Sequence, residues 1–314
     1  MSDTVKSIVI ATRQSALALW QARYVSSLLQ SHYPGLEVSL LGLTTEGDRR
    51  LESSLARIGG KGLFVKELEQ ALADGRADIA VHSMKDVPMQ LPDGFRIEAI
   101  LAREEPRDAF VSNQFASLQS LVPGSIVGTS SLRRQSQIKA RYPEIEVKPL
   151  RGNVQTRLRK LDEGQFAAII LAAAGLTRLE LQHRITHLLE PEESLPAVGQ
   201  GALGIECRED RTELCGFLAP LDDARTRCCV EAERSLSRAL SGSCTVPLGG
   251  YAQLIGEQMQ LRGFVATPDG SRLIEEELIL PYSDSVPDRI GKDLAQRLTE
   301  RGAGEILASL DTTG

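Results

Sequence analysis

Along the first two hundred residues, apolar positions follow two rhythms in turn. Short β-branched runs such as SIVIAT (7–12) give way to stretches in which apolar residues return every three or four positions, as with Leu17, Trp20, Tyr24 and Leu28 in SALALWQARYVSSLLQSHYP. Strands trading places with helices predict parallel α/β sheets. The pattern also echoes itself. SIVIATRQS from Ser7 resembles SIVGTSSLRRQS from Ser125, each a strand ending in Thr before a helix with Arg near its start, and GRADIAVHSMKD from Gly75 is shadowed by GQFAAIILAAAG from Gly164. Two α/β domains of similar winding are expected. From about Asp222 the rhythm changes to one long helical stretch, ARTRCCVEAERSLSRALSG. Strand runs joined at Pro268-Asp269-Gly270 and a closing helix, DRIGKDLAQRLTERGAGEIL, follow. This predicts a small third domain of helices on an antiparallel sheet.

In open α/β sheets a ligand sits beyond the carboxyl ends of the strands, where helix N-termini offer free N–H groups. Two such domains facing each other would line a cleft with Thr12-Arg13, His82 to Asp86, Thr129 to Arg134 and Leu150 to Asn153. Composition narrows the ligand. The charge of −6 and an aromatic content of 4% argue against a nucleic-acid partner. The N-terminal apolar run is broken by Thr12 and Arg13, which does not fit a signal peptide. The longest apolar stretch, 167–176, falls short of the ~20 residues a bilayer needs. A cytoplasmic protein with no membrane partner is expected. The five cysteines contain no C-x-x-C pair and read as free thiols.

Local chemistry departs from the global charge. Between Ser131 and Lys160 stand nine basic residues against Glu144 and Glu146, a local net of +7. Lys139, Arg141, Arg159 and Lys160 read as a solvated face. Arg133, Arg134 and Arg151 fall at strand-to-helix junctions, where guanidinium forks grip carboxylate or phosphate. Several forks together imply a ligand with several anionic groups. GGKGLF (59–64) fails as a phosphate loop, because Leu55 and Gly62 stand where Gly and Ser or Thr belong. It reads instead as a Gly-rich loop able to close over a ligand, leading into the helix LFVKELEQALADG. His183 and His187 fall four apart on one helix face without the Glu of a zinc-protease motif, so no metal site is expected. In VHSMKDVP (81–88), Asp86 is either a turn cap or a functional carboxylate beside Lys85 and His82. Cys244, in the Ser/Gly-rich loop SGSCTVPLGG, is either inert or an accessible nucleophile.

The motifs ATRQS, GGKGLFVKELE, VHSMKDVP, GTSSLRR, LRGN, LPAVGQGALGIECR and CTVPLG, in that order from about Ile8 onward, resemble the porphobilinogen deaminase (hydroxymethylbilane synthase) family of bacterial type. The resemblance implies two α/β domains like type II periplasmic binding proteins, 1–101 with 202–219 and 107–195, plus a small α+β domain, 224–314. It implies a monomeric transferase of haem biosynthesis. Four porphobilinogens are joined head to tail with loss of ammonia, and the linear tetrapyrrole is released with water. A dipyrromethane cofactor would be attached by a thioether at Cys244. Its carboxylates and those of the growing chain would be held by Lys85, Ser83, Thr129, Ser131, Arg133, Arg134, Arg151, Asn153 and Arg157. Arg13, Ser15, Arg178, Gln200, Lys61 and Phe64 would serve the incoming substrate. Asp86, as a buried carboxylate, would stabilise positive charge on pyrrole nitrogens and manage protons. The rival readings are a non-catalytic binding module for an anionic small molecule and a nucleic-acid binder using the +7 segment.

Overall fold

The computed structural model describes residues 5–49, 65–240 and 246–311. The chain divides into two compact units: Met1–Leu51 with Lys61–Glu104 and Ala202–Arg227, and Glu52–Gly60 with Glu105–Gly201 and Cys228–Gly314. Elements are numbered along the chain.

The first unit holds β1 (Ser7–Arg13), α1 (Ala16–His32), β2 (Glu37–Leu43), α2 (Glu46–Arg49), α3 (Lys66–Ala73), β3 (Ile79–Ser83), β4 (Phe95–Ile100), β10 (Leu203–Arg208) and α7 (Glu213–Leu218). Its sheet runs β2-β1-β3-β10-β4, with β1 parallel to β2 and β3, and β10 antiparallel to both its neighbours. Both faces are covered, which explains the nearly unbroken apolar run of β1. Ile8 and Ile10 pack with Ala22, Val25 and Leu29 of α1, while Ala11 and Ala80 pack with Leu68, Ala71 and Leu72 of α3.

In the second unit, β5 (Asp108–Val111), β6 (Ile126–Gly128), α4 (Leu132–Arg141), β7 (Glu146–Lys148), α5 (Val154–Asp162), β8 (Ala168–Ala172), α6 (Ala173–Arg178) and β9 (His187–Leu189) build a sheet of order β7-β6-β8-β5-β9. The echo is therefore structural, because β6, β7 and β8 take the places that β1, β2 and β3 hold in the first sheet. The fourth strand of each sheet is antiparallel, where an all-parallel sheet was expected. Both β5 and β10 are the first strand after the chain passes from one unit to the other. Neither enters through a βαβ crossover, so neither is constrained to be parallel.

The helix α8 (Ala224–Ala239) begins in the first unit and continues in the second, which also contains β11 (Leu248–Ile255), β12 (Gln258–Ala266), β13 (Leu273–Pro281), α9 (Val286–Glu300) and α10 (Ala303–Asp311). The three strands form the expected antiparallel sheet, with the β12–β13 turn at 267–272. Gly291 lets α9 approach α8 closely, since a Cβ there would lie 2.5 Å from that of Ser235. The expected single closing helix is split at Gly302, whose φ of +100° no helix continues. The buried Glu233 ties this region to the rest of its unit, accepting from Gly199 N at 2.7 Å and Ala252 N at 2.9 Å.

The expectation for His183 and His187 needs correction. His183 lies in a 3-10 turn (Gln182–Arg184), and His187 opens β9, 3.1 Å from Glu193. A strand start turns its side chain away from any shared helical face. Among the described residues, Cys207, Cys215, Cys228 and Cys229 are free thiols, and no helix is long and apolar enough to cross a membrane.

Candidate active site

In the first unit, the carboxyl ends of β1 and β3 and the first turns of α1 enclose a cavity of about 60 Å³ lined by Arg13, Ser15, Gln21, His82, Ser83 and Asp86, with apolar walls from α3. Local sequence explains the placement. Ser15 is the N-cap of α1, its hydroxyl accepting from Ala18 N at 3.3 Å, so the helix starts directly beyond the strand. Ser83 ends β3 and accepts from Gln21 Nε2 at 2.9 Å. A 3-10 turn, Met84–Asp86, follows and anchors itself through the buried Met84. Four residues expected at the site, Arg13, Ser15, Ser83 and Asp86, thus share one cavity. Asp86 is exposed, whereas the mechanism implied a buried carboxylate. It stands past the end of the strand, where the sheet and its covering helices no longer enclose it.

Arg13 is not without a counter-ion. Its guanidinium makes a bidentate pair with Asp48, Nε to Oδ2 at 3.1 Å and Nη2 to Oδ1. Burial pushes the Asp48 carboxyl up, but the Arg13 fork and the Thr45 donors outweigh it and hold the group below the usual carboxylate range.

In the second unit the basic residues separate by burial. Arg133 and Arg134 are 4% and 7% exposed and share one carboxylate. Asp108, with no exposed surface, accepts from Arg133 Nη2 at 2.8 Å, Arg134 Nε and Nη2 at 3.0 and 2.7 Å, Ser194 Oγ at 2.9 Å and Gln200 Nε2 at 2.9 Å. Burial raises the Asp108 carboxyl, and the two guanidinium charges more than reverse this, holding it far below its ordinary value. Two cations against one anion leave this buried cluster at +1. Arg133 Nε is buried with no hydrogen-bond partner among the described residues. An interior of surplus positive charge with an unused donor fits a carboxylate-bearing group such as a dipyrromethane.

The remaining expected residues of this unit stand at strand-to-helix junctions. Ser131 and Asn153 are the N-caps of α4 and α5, accepting from Arg134 N at 3.4 Å and Thr156 N at 2.9 Å. Thr129 closes toward Ser131, whose N–H its hydroxyl accepts at 3.2 Å. Arg157 donates from Nε to Gly152 O at 2.8 Å, and Arg151 O accepts from Lys160 Nζ at 3.2 Å. Arg178, 6% exposed, donates to Gly201 O at 2.6 Å. Arg141 and Arg159 lie on the surface, as expected of a solvated face. Lys61, Phe64 and Cys244 lie outside the described residues. Sequence reasoning missed Asp48 and Asp108, each separated by at least 25 residues from the arginines it holds. No local spacing could have revealed either.

These features define an α/β protein of two five-stranded sheets and one three-stranded antiparallel sheet, whose strand ends and helix starts carry arginine and hydroxyl side chains, with the exposed Asp86 carboxylate in the first-unit cavity. Residues 8–216 match the description "Porphobilinogen deaminase, dipyromethane cofactor binding domain", and residues 227–300 match "Porphobilinogen deaminase, C-terminal domain". The chain is 62% identical to the porphobilinogen deaminase of Nitrosomonas europaea over 97% of its own length and 98% of that protein's. It is 61% identical to that of Methylobacillus flagellatus, over 97% and 98%. Among solved structures it is similar to the periplasmic aliphatic sulphonate binding protein SsuA from Escherichia coli, at 12% identity and a TM-score of 0.43, covering 94% of this chain and 87% of that one. The chain belongs to the porphobilinogen deaminase family.

Proposed function

We infer that the protein is a tetrapyrrole-building transferase, which condenses four porphobilinogens head to tail with loss of ammonia and releases the linear tetrapyrrole hydroxymethylbilane with water. The observation that carries this reading is the first-unit cavity, where the Arg13 cation and the Asp86 carboxylate line one space. A pyrrole that bears acetate and propionate groups and becomes cationic as ammonia leaves needs both signs of charge. Arg13, with Ser15 and Ser83 as hydroxyl donors, takes the acidic groups, and Asp86 faces the ring nitrogens. Enclosure by substrate strengthens the field of the Asp86 carboxylate where the positive charge develops. Arg178, Gln200, Lys61 and Phe64 belong to the substrate site in the same reading.

Dipyrromethane, attached by a thioether at Cys244, supplies when bound the free pyrrole α-carbon from which the product is extended. The buried +1 cluster of Arg133 and Arg134 would hold its carboxylates, together with Thr129, Ser131, Lys85, Arg151, Asn153 and Arg157. The domain limits 1–101 with 202–219, 107–195 and 224–314, a monomeric state and a cytoplasmic location complete the proposal. The non-catalytic binding module makes no use of the Asp86 carboxylate in this cavity and predicts no covalent adduct. Intact-protein mass and ammonia release on the same purified preparation test the reading. An added dipyrromethane mass with ammonia released from porphobilinogen is expected. An unmodified mass with porphobilinogen bound but not consumed would overturn it.

A further inference from the structure

Behind the cavity, on the face of the first sheet that α3 covers, His82 and Glu206 meet, with Glu69 of α3 close enough to feel the charge of both, and the reaction described above uses none of the three. His82 lines the cavity, and its Nε2 lies 2.7 Å from Glu206 Oε2, with side chains only 4% and 0% exposed. In the antiparallel ladder Gly204 stands opposite His82 and Glu206 opposite Ala80, so His82 and Glu206 project from the same face. Glu69 stands on α3 above the same sheet. Burial, and next the Glu206 charge, push the Glu69 carboxyl up to about 7, with a smaller opposing pull from His82. Glu206 Oε1 and Glu69 Oε1 are both buried with no hydrogen-bond partner among the described residues.

Among the described residues, α3 rests on β1, β3 and β10, and each of these strands carries charged or titratable side chains. From β1 comes only Arg13, at the strand end and paired with Asp48; from β3, only His82. From β10 come Glu206 and Arg208, the latter bonded to Asp210 and Ala73 O, while Cys207 packs into the core on the opposite face. Within α3, Lys66 is exposed and Glu67 accepts from Glu46 N. Beyond His82, Lys85 and Asp86 lie past the strand end. Burial and the Glu206 charge both favour the protonated form of Glu69, so a proton is held beside the His82–Glu206 pair.

We propose that His82, Glu206 and Glu69 form the proton-holding unit of this active site, with His82 the member that exchanges a proton with substrate and the two carboxyls holding it from behind. The inference rests on the deaminase reading. In each coupling the bond from the aminomethyl carbon to nitrogen breaks and its electron pair leaves with ammonia. The attacking pyrrole supplies the pair for the new carbon–carbon bond, and the proton on its α-carbon is then released. His82 takes up that proton and returns it to ammonia, which departs as ammonium, so charge and atoms balance in every cycle. A carboxyl titrating near neutrality lets this happen without leaving net charge in the interior.

The test is the pH dependence of ammonia release by cofactor-loaded wild type, Glu69→Gln and His82→Asn. Wild-type kcat should rise as pH passes through about 7, where the unit becomes able to accept a proton. Glu69→Gln mimics the filled state permanently, so this step should vanish with KM and adduct mass retained. His82→Asn should lower kcat by roughly 10²-fold at constant KM, the lower end of what a positioned proton-transfer group contributes. A step that survives in Glu69→Gln, or full kcat in His82→Asn, overturns the proposal. Isotope-edited infrared spectroscopy of the wild type, with ¹³C-labelled glutamate, covers variants that fail to fold. A protonated buried carboxyl band that fades across the same pH range supports the unit, and its absence overturns it. A wild-type preparation without adduct or ammonia release would instead bring down the deaminase reading, and this inference with it.

Discussion

Asp108→Asn isolates the charge on which the arginine cluster depends, because it keeps shape and one carbonyl acceptor but removes the anion between Arg133 and Arg134. The carboxylate has no exposed surface and meets the two guanidiniums at 2.8 and 2.7 Å. Breaking a buried pair by removing one partner costs about 3–5 kcal/mol, since the remaining charge is left uncompensated. Here two remain, and the buried charge rises from +1 to +2. Against a total stability of about 5–15 kcal/mol this is a large share. At roughly 2–4 °C per kcal/mol for a unit of this size, the melting temperature should fall by about 6–20 °C. The same carboxylate sets a pH dependence. Its folded-state value is depressed, so the stability it contributes is present above the ordinary Asp value of 3.8 and is lost as pH falls below it. Thermal unfolding of Asp108→Asn, Arg134→Gln and the double variant from pH 3 to 8 is the assay. The double variant should cost less than the sum of the singles, because the two residues interact directly. The acid-side decline should be shallower without Asp108. A melting temperature within about 2 °C of wild type, with additive singles, would refute the assignment of the cluster as a coupled buried charge system.

Other consequences can be checked on the same preparations. Cys244→Ala should fold and carry no dipyrromethane by intact mass, and an adduct found on Cys207, Cys215, Cys228 or Cys229 would reassign the attachment. Asp86→Asn should lower ammonia release by at least ~10²- to 10³-fold, the scale of losing one preorganised stabilising group, with an unchanged melting temperature because the side chain is exposed. Near-normal turnover would remove Asp86 from catalysis. Arg13→Ala should keep the adduct but raise KM for porphobilinogen by roughly 10- to 100-fold, as expected for one charged hydrogen bond worth ~1.5–3 kcal/mol; saturation kinetics on the loaded variant decide it. Glu69 has a raised folded-state value, so its contribution to stability is complete below 4.5 and is lost as pH rises through about 7. Glu69→Gln should therefore be more stable than wild type at pH 8 by ~1–3 kcal/mol, measured by denaturant unfolding, and equal stabilities at pH 5 and pH 8 in both proteins would contradict the shift.

Much of the architecture was legible because it is written in local periodicity. The two echoed segments became β1 and β6, each followed by a helix as expected, with Ser15 and Ser131 as their N-caps. The β12–β13 hairpin followed from Pro268-Asp269-Gly270 in the same way. Strand direction was less accessible. The apolar run of β10 looks the same whether it pairs parallel or antiparallel with β3, and only its route through the chain decides. His187 was misplaced for a related reason: a four-residue spacing suggests a helix, but HLL pairs with β5 instead. Spacing is evidence of a shared face only where the helix exists.

Charge was the least legible property, because a count along the chain ignores partners brought by topology. The segment from Ser131 to Lys160 carries +7, and its most buried arginines looked like free forks awaiting an anion. Both are already engaged by Asp108, which lies 25 and 26 residues before them and arrives by pairing β5 with β8. The surplus available to a ligand at that point is +1, smaller than the sequence count but far more effective per charge, since burial removes the water that would screen it. The same logic runs with the opposite sign in the first unit. There Glu206 reaches His82 from β10, and the histidine that the sequence placed at a strand end becomes the cavity-lining partner of a buried acid. The overall charge of −6 thus hides local charge of both signs, each balanced by a counter-ion brought from distant sequence.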